Sequence, residues 1–291
     1  MRRRRQFTIG SALLGGLAVF GAACFGPTRA VAEDPTAEDS TAEDSTGEDS
    51  TMEAFEERTF SFTSADGKVR DFRYRLLRPQ AVEPGRKYPV ILFLHGAGER
   101  GDDNRKQLLY LPESMATAER RAKYPCFLIA PQCPAEERWA DVDWSAAEAE
   151  PLSDAPAPPL RAALGMLQEV MRDEAVDANR VYLTGLSMGG YGSWDLAVRH
   201  PELFAAVAPI CGGGDESQAA RLVGIPVWAF HGDEDAAVPV ARSRNMITAI
   251  KAAGGTPKYT EYPGFGHHSW VPAYADDSGL LDWMFAQRRE S

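Results

Sequence analysis

Cysteine is scarce in this chain of 291 residues: there are four, and only Cys126, Cys133 and Cys211 lie beyond residue 32. None belongs to a Cys-x-x-Cys pair or neighbours a histidine, so no zinc-type site is expected. Histidine is nearly as rare, with five residues, which lets candidate bases be sorted by elimination. Long apolar runs are missing too. The stretch Phe7 to Ala23 is diluted by Gly10, Gly15, Gly16 and Gly21, and a multi-span membrane protein is excluded. Positive charge is the last shortage. Residues 56–291 carry 26 basic against 33 acidic residues, with no run of Lys or Arg. A nucleic-acid partner, which needs a basic face to neutralise phosphates, is therefore not expected.

The basic residues that do cluster stand at the start. Arg2 to Arg5, the diluted apolar stretch and Ala30-Val31-Ala32 form the three parts of a secretory signal over 1–32. Arg4-Arg5-Gln6-Phe7 resembles the twin-arginine export signal. A retained anchor, or lipidation at Cys24 behind Gly21-Ala22-Ala23, is the lesser alternative. Residues 33–55 hold nine acidic residues and no basic one, around three repeats from Thr36 to Ser50. With so little apolar surface to bury, this segment reads as an extended acidic tether. The expected protein is exported, to periplasm or medium, without a stable membrane span once mature. Export permits one disulfide, with Cys126 and Cys133 the nearer pair; free buried thiols are the alternative.

From 56 to 291 the pattern alternates. Phe60-Ser-Phe62 and Phe72-Arg-Tyr74-Arg-Leu76 flank Asp66-Gly67, the signature of a hairpin. Pro89 to Leu94, Cys126 to Ala130, Val181 to Thr184 and Pro226 to Phe230 are continuously apolar, as strands covered on both faces are. Helical spacing fills Leu160 to Arg172, Ser187 to Arg199 and Val240 to Ala253. Together these predict an α/β fold: a mostly parallel central sheet, helices on both faces and an antiparallel N-terminal hairpin. Residues 134–159, rich in Pro, Ala and acid around Trp139 and Trp144, read as a lid or binding wall, or equally as a surface excursion.

Gly185-Leu186-Ser187-Met188-Gly189 joins a predicted strand to a predicted helix. A serine on such a turn has its Oγ lifted above the sheet, and the helix N-terminus favours developing negative charge beside it. A hydroxyl needs a base, usually histidine. His95 precedes the turn at the end of an earlier strand, His200 ends the helix far from its start, and His231 closes a strand. His267 or His268, on the Gly264-Phe265-Gly266 loop, is left as the base. The carboxylate that orients it falls among Asp233, Glu234 and Asp235. The backbone N–H of Met188 supplies one oxyanion donor, and the loop holding Ala97 and Gly98 the other.

Four segments resemble the α/β-hydrolase superfamily: Phe93 to Gly101, Gly185 to Gly192, His231 to Pro239 and Gly266 to Trp270. Within it they are most similar to secreted esterases: polyhydroxybutyrate depolymerase-like, feruloyl and acetylxylan esterases, and predicted peptidases related to prolyl oligopeptidase. The resemblance runs from about residue 58 to 287. It implies an α/β-hydrolase fold with Ser187 as nucleophile, His267 as base and Asp235 as acid. It further implies Ala97 and Met188 as the oxyanion amides, and Trp144 and Trp270 as substrate-contacting residues. No cofactor or metal is implied.

The expected activity is a serine carboxylic ester hydrolase working through an acyl-enzyme on polysaccharide-linked esters or polyesters. A prolyl-oligopeptidase-like serine peptidase is the alternative, disfavoured because about 236 residues leave no room for a propeller domain. A non-catalytic binding protein of the same fold ranks third, since every role has a candidate residue.

Overall fold

The structure is a computed structural model and describes residues 51–63 and 67–290. The signal over 1–32 and the acidic segment up to 50 lie outside the described residues. Met52 and Ala54 pack against the core and Phe55 is buried, so the folded part includes residues assigned above to the tether.

Eight strands form one sheet among the described residues: β1 (Phe55–Thr63), β2 (Val69–Leu77), β3 (Tyr88–Leu94), β4 (Phe127–Pro131), β5 (Val176–Leu186), β6 (Ala206–Ile210), β7 (Trp228–Gly232) and β8 (Lys258–Tyr262). The spatial order is β1-β2-β4-β3-β5-β6-β7-β8. β1 and β2 form an antiparallel hairpin, Phe55 opposite Leu77 and Thr63 opposite Val69, and β2 runs antiparallel to β4. From β4 to β8 every pairing is parallel.

The helices are α1 (Leu111–Ala116), α2 (Ala118–Lys123), α3 (Pro158–Asp173), α4 (Met188–Arg199), α5 (Ala241–Ala252), α6 (Trp270–Tyr274) and α7 (Leu280–Ala286). Strand β3 shows why the sheet is covered twice. Successive side chains of a strand point to opposite faces. Val90, Leu92 and Leu94 join the cluster containing α3, α4 and α5, whereas Ile91 and Phe93 join the one containing α1, α6 and α7. Each such buried aliphatic side chain stabilises the fold by about 1.5–3 kcal/mol. This is the α/β architecture expected from the sequence.

Strand β6 and helices α1, α2, α6 and α7 escape the sequence reading. Strand β6 lies inside the sheet, between β5 and β7, although it is rich in Ala and contains Pro209. Alanine is a weak strand former and proline is normally kept to edges, so tertiary burial overrides both. Helices α6 and α7 are short and near the C-terminus, too brief for a helical period to show. Of the two cysteine readings, a Cys126–Cys133 disulfide is not found and free buried thiols are. Cys126, Cys133 and Cys211 are all free and buried, and burial pushes the Cys126 thiol up to about 12.

Candidate active site

Strand β5 ends at Leu186 and α4 begins at Met188, leaving Ser187 alone to make the turn. It does so at φ 54°, ψ −118°, in a region L-residues rarely occupy, at a cost of about 1–3 kcal/mol. The strain is held from both sides. Ser187 N–H donates to Ile210 O at 2.9 Å, and a Cβ on Gly189 would lie 1.9 Å from Leu94 O. Only glycine lets α4 approach the end of β3 this closely. The result is a serine hydroxyl raised at the C-terminal edge of the parallel strands, where open α/β sheets bind ligands.

Loops after β7 and β8 bring two more side chains to that edge. His267 Nε2 lies 2.9 Å from Ser187 Oγ, and His267 Nδ1 lies 2.8 Å from Asp235 Oδ2. The other Asp235 oxygen accepts from the amides of Ala237 at 2.9 Å and Val238 at 2.8 Å. Burial acts to raise the Asp235 pKa, but hydrogen bonds from His231, His267 and the Val238 amide outweigh it and hold the carboxyl well below the usual range. The open choices of the sequence reading are thereby separated in space. Asp233 is exposed and accepts from Gly264 N–H at 2.7 Å. Glu234 is exposed, and so is His268, whose ring meets Trp270 edge-on at 4.9 Å.

The two expected oxyanion amides sit at the start of helical turns. Met188 is the first residue of α4, its side chain packed in the core, so its N–H lacks an intrahelical acceptor. Ala97 opens the turn Ala97–Glu99 just beyond β3. His95, which the sequence reading passed over, governs this second amide. Its Nε2 accepts from Cys133 N–H at 3.0 Å, so Nδ1 carries the hydrogen and donates to Gly96 O at 2.6 Å. The Gly96 carbonyl and the Ala97 N–H share one planar trans peptide and point in opposite directions. Pinning the first aims the second. Burial lowers the His95 pKa to about 4, which keeps this clip neutral.

Trp139 donates Nε1–H to His95 O at 2.9 Å and is itself buried. Segment 134–159 is therefore tied down, and further bonds fix it: Leu152 N–H to Asp215 at 3.0 Å, and Arg199 to Ser153 O at 2.7 Å. Trp144 packs with Ala140, Tyr191 and Val238, and its carbonyl accepts from the Tyr191 hydroxyl at 3.0 Å. Trp270 instead stands edge-on to His267 at 5.2 Å and beside Tyr110 at 5.5 Å. Its indole N–H is buried on the side of Tyr110. Tyr110, missed by the sequence reading, adopts φ 68°.

Cys211, Asp235 and His267 present ligand-type atoms within 4.8 Å of one another. Both His267 nitrogens are engaged, however, and burial raises the Cys211 thiol pKa. The group is poorly disposed to hold a metal through a thiolate. No helix among the described residues is long and apolar enough to cross a membrane.

Comparison with known proteins agrees with this architecture. A profile of the Dienelactone hydrolase family matches residues 149–277. The crystal structure of a thermostable esterase is similar at TM-score 0.72 and 39% identity, over 82% of this chain and 64% of that one. A probable feruloyl esterase C of Aspergillus oryzae is 26% identical over 205 residues, 70% of each chain. A putative carboxymethylenebutenolidase of Salmonella typhimurium is 30% identical over 120 residues, 37% of this chain and 44% of that protein. The chain thus spans less than half the length of this last relative.

Proposed function

The chain is an α/β-hydrolase in fold, and on that basis we propose that it is an exported serine ester hydrolase that works through an acyl-enzyme. The observation that supports this most directly is the relay from Ser187 Oγ through His267 to Asp235, with both links under 3 Å. His267 Nδ1 faces a carboxylate oxygen, so it carries the hydrogen and leaves Nε2 as the acceptor for the serine proton.

Ser187 Oγ attacks the ester carbonyl as its proton passes to His267 Nε2. The carbonyl oxygen, now negative, receives hydrogen bonds from the Ala97 and Met188 amides. Collapse of the tetrahedral adduct expels the alcohol, which takes the proton from His267 and leaves an ester on Ser187. Water then attacks, giving its proton to His267. The second collapse releases the carboxylic acid and returns the proton to Ser187. Asp235 stays ionised throughout and stabilises the imidazolium.

The substrate proposed is an ester of an aromatic or short acyl group on a polysaccharide or polyester. The ring of Trp270 beside His267, itself flanked by Tyr110, supports that choice, as does similarity to a probable feruloyl esterase across most of the chain. Purified protein should hydrolyse p-nitrophenyl acetate and methyl ferulate, and Ser187→Ala should lower kcat by on the order of 10⁴–10⁶-fold. Equal activity of the variant, or a preference for chromogenic peptides over every ester, would overturn the proposal.

A further inference from the structure

His231, the fourth residue of β7, is fully buried, and no step above uses it. Its Nε2 faces two acceptors, Asp235 Oδ2 at 3.2 Å and Val238 O at 3.1 Å. A nitrogen between two acceptors carries the hydrogen. The opposite nitrogen lies 2.8 Å from Ser243 Oγ on α5, itself 3.0 Å from Gly212 O. Asp235 Oδ2 is thus shared by two imidazoles, His267 and His231, while Oδ1 is occupied by two amides.

We propose that His231 is a positioning residue for Asp235, whose second hydrogen bond to Oδ2 fixes the carboxylate and sets the pH at which His267 becomes a working base. A donor on a carboxylate makes it a weaker partner for a neighbouring imidazolium. Without it, Asp235 would hold the His267 proton more firmly, and the acid limb of the pH profile would move upward.

The other groups around this pair are accounted for. Glu261 of β8 stands in register with His231, but Arg244 and Tyr259 hold its carboxylate. Cys211 after β6, Tyr191 of α4 and Tyr274 of α6 are pushed up by burial and stay neutral. Arg242 of α5 lies over the Tyr191 ring. Asp233 and Glu234, on the same loop as Asp235, are exposed.

The inference rests on the ester-hydrolase reading, and its test separates the two. In His231→Asn the amide can reach Ser243 but not Asp235; in His231→Gln it can take the place of Nε2. Profiles of kcat/KM against pH on p-nitrophenyl acetate should show the acid limb of H231N raised by about one unit, a tenfold loss below it, and the limb of H231Q restored. Limbs that coincide in the two variants, whether at the wild-type position or equally displaced, overturn the proposal; a general weakening of the fold would lower both plateaus without separating the limbs. Histidine ¹⁵N spectra of the wild-type protein supply a measurement that does not depend on the variants folding. A protonated Nε2 on His231 supports the proposal, and an Nδ1–H tautomer overturns it. Absence of ester turnover in the wild type would instead strike the enzymatic reading and leave the tautomer result standing.

Discussion

Replacing Asp235 by Asn changes one atom yet should nearly abolish turnover, and the structure says why. The Oδ1 position accepts from the Ala237 and Val238 amides at 2.9 and 2.8 Å, so the new amide must place its oxygen there. Its NH₂ is then forced to the Oδ2 side, 2.8 Å from His267 Nδ1 and 3.2 Å from His231 Nε2. Facing a donor, His267 has to present an unprotonated Nδ1, and its single hydrogen moves to Nε2. That hydrogen points at Ser187 Oγ, so the base can no longer accept the serine proton. In a serine protease with the same relay such a change costs about 10⁴ in kcat, equal to about 5.4 kcal/mol of transition-state stabilisation. Steady-state hydrolysis of p-nitrophenyl butyrate measures the loss. Fluorophosphonate labelling of Ser187 should slow in parallel, while circular dichroism stays unchanged. Asp233→Asn, at an exposed side chain that accepts from the Gly264 amide, is the matched control and should lose less than about threefold. A D235N enzyme within tenfold of wild type, or a larger loss in D233N, would refute the assignment of the carboxylate.

Other consequences follow from the same geometry. His95→Leu releases the Gly96 carbonyl, so the Ala97 amide loses its aim; kcat should fall by about 10²–10³ with KM little changed, as when one oxyanion donor is removed. His95 also makes stability depend on pH. Its pKa is about 4 when folded, against about 6.5 in an unfolded chain. Between these values the unfolded state binds more protons, so stability falls as pH drops from about 6.5 to 4, by about 3 kcal/mol in total. Urea unfolding at pH 7 and pH 4.5 should show a slope that shrinks in H95L. Gly189→Ala places a methyl against the Leu94 carbonyl and should cost more than about 3 kcal/mol, a fall in Tm on the order of 10 °C by calorimetry. A chain starting after Ala32 should show three free thiols by Ellman titration once denatured and almost none before, since all three cysteines are buried; a disulfide-linked peptide in a non-reducing digest would contradict this.

Much of the site was legible because its signals are local. Ser187 is announced by glycines two residues to either side and by the strand and helix around them. His267 follows a glycine loop after the last strand, and the acidic choice was narrowed to three consecutive residues. What stayed hidden were contacts between segments distant in the chain. His95 looked like a strand end until Cys133, on another strand's exit, was seen to donate to it. Trp139 lay in an irregular, acid-rich stretch with no periodicity to mark it, yet it caps the His95 carbonyl. Strand β6 was missed because Ala and Pro209 speak against a strand, whereas its neighbours β5 and β7 supply the pairing that makes it one.

The amino-acid order by itself determined the alternation of strands and helices and the serine turn, because apolar period and glycine placement act over a few residues. The residue pattern left open which histidine reaches the serine and which aspartate reaches that histidine; resemblance implied His267 and Asp235, and the tertiary structure brings those two together. That meeting depends on two loops, after β7 and β8, converging on one edge of the sheet, where a hydrogen bond is sensitive to tenths of an ångström. It also decided that Cys126 and Cys133, close in sequence, remain separate thiols, because each is packed in its own part of the core.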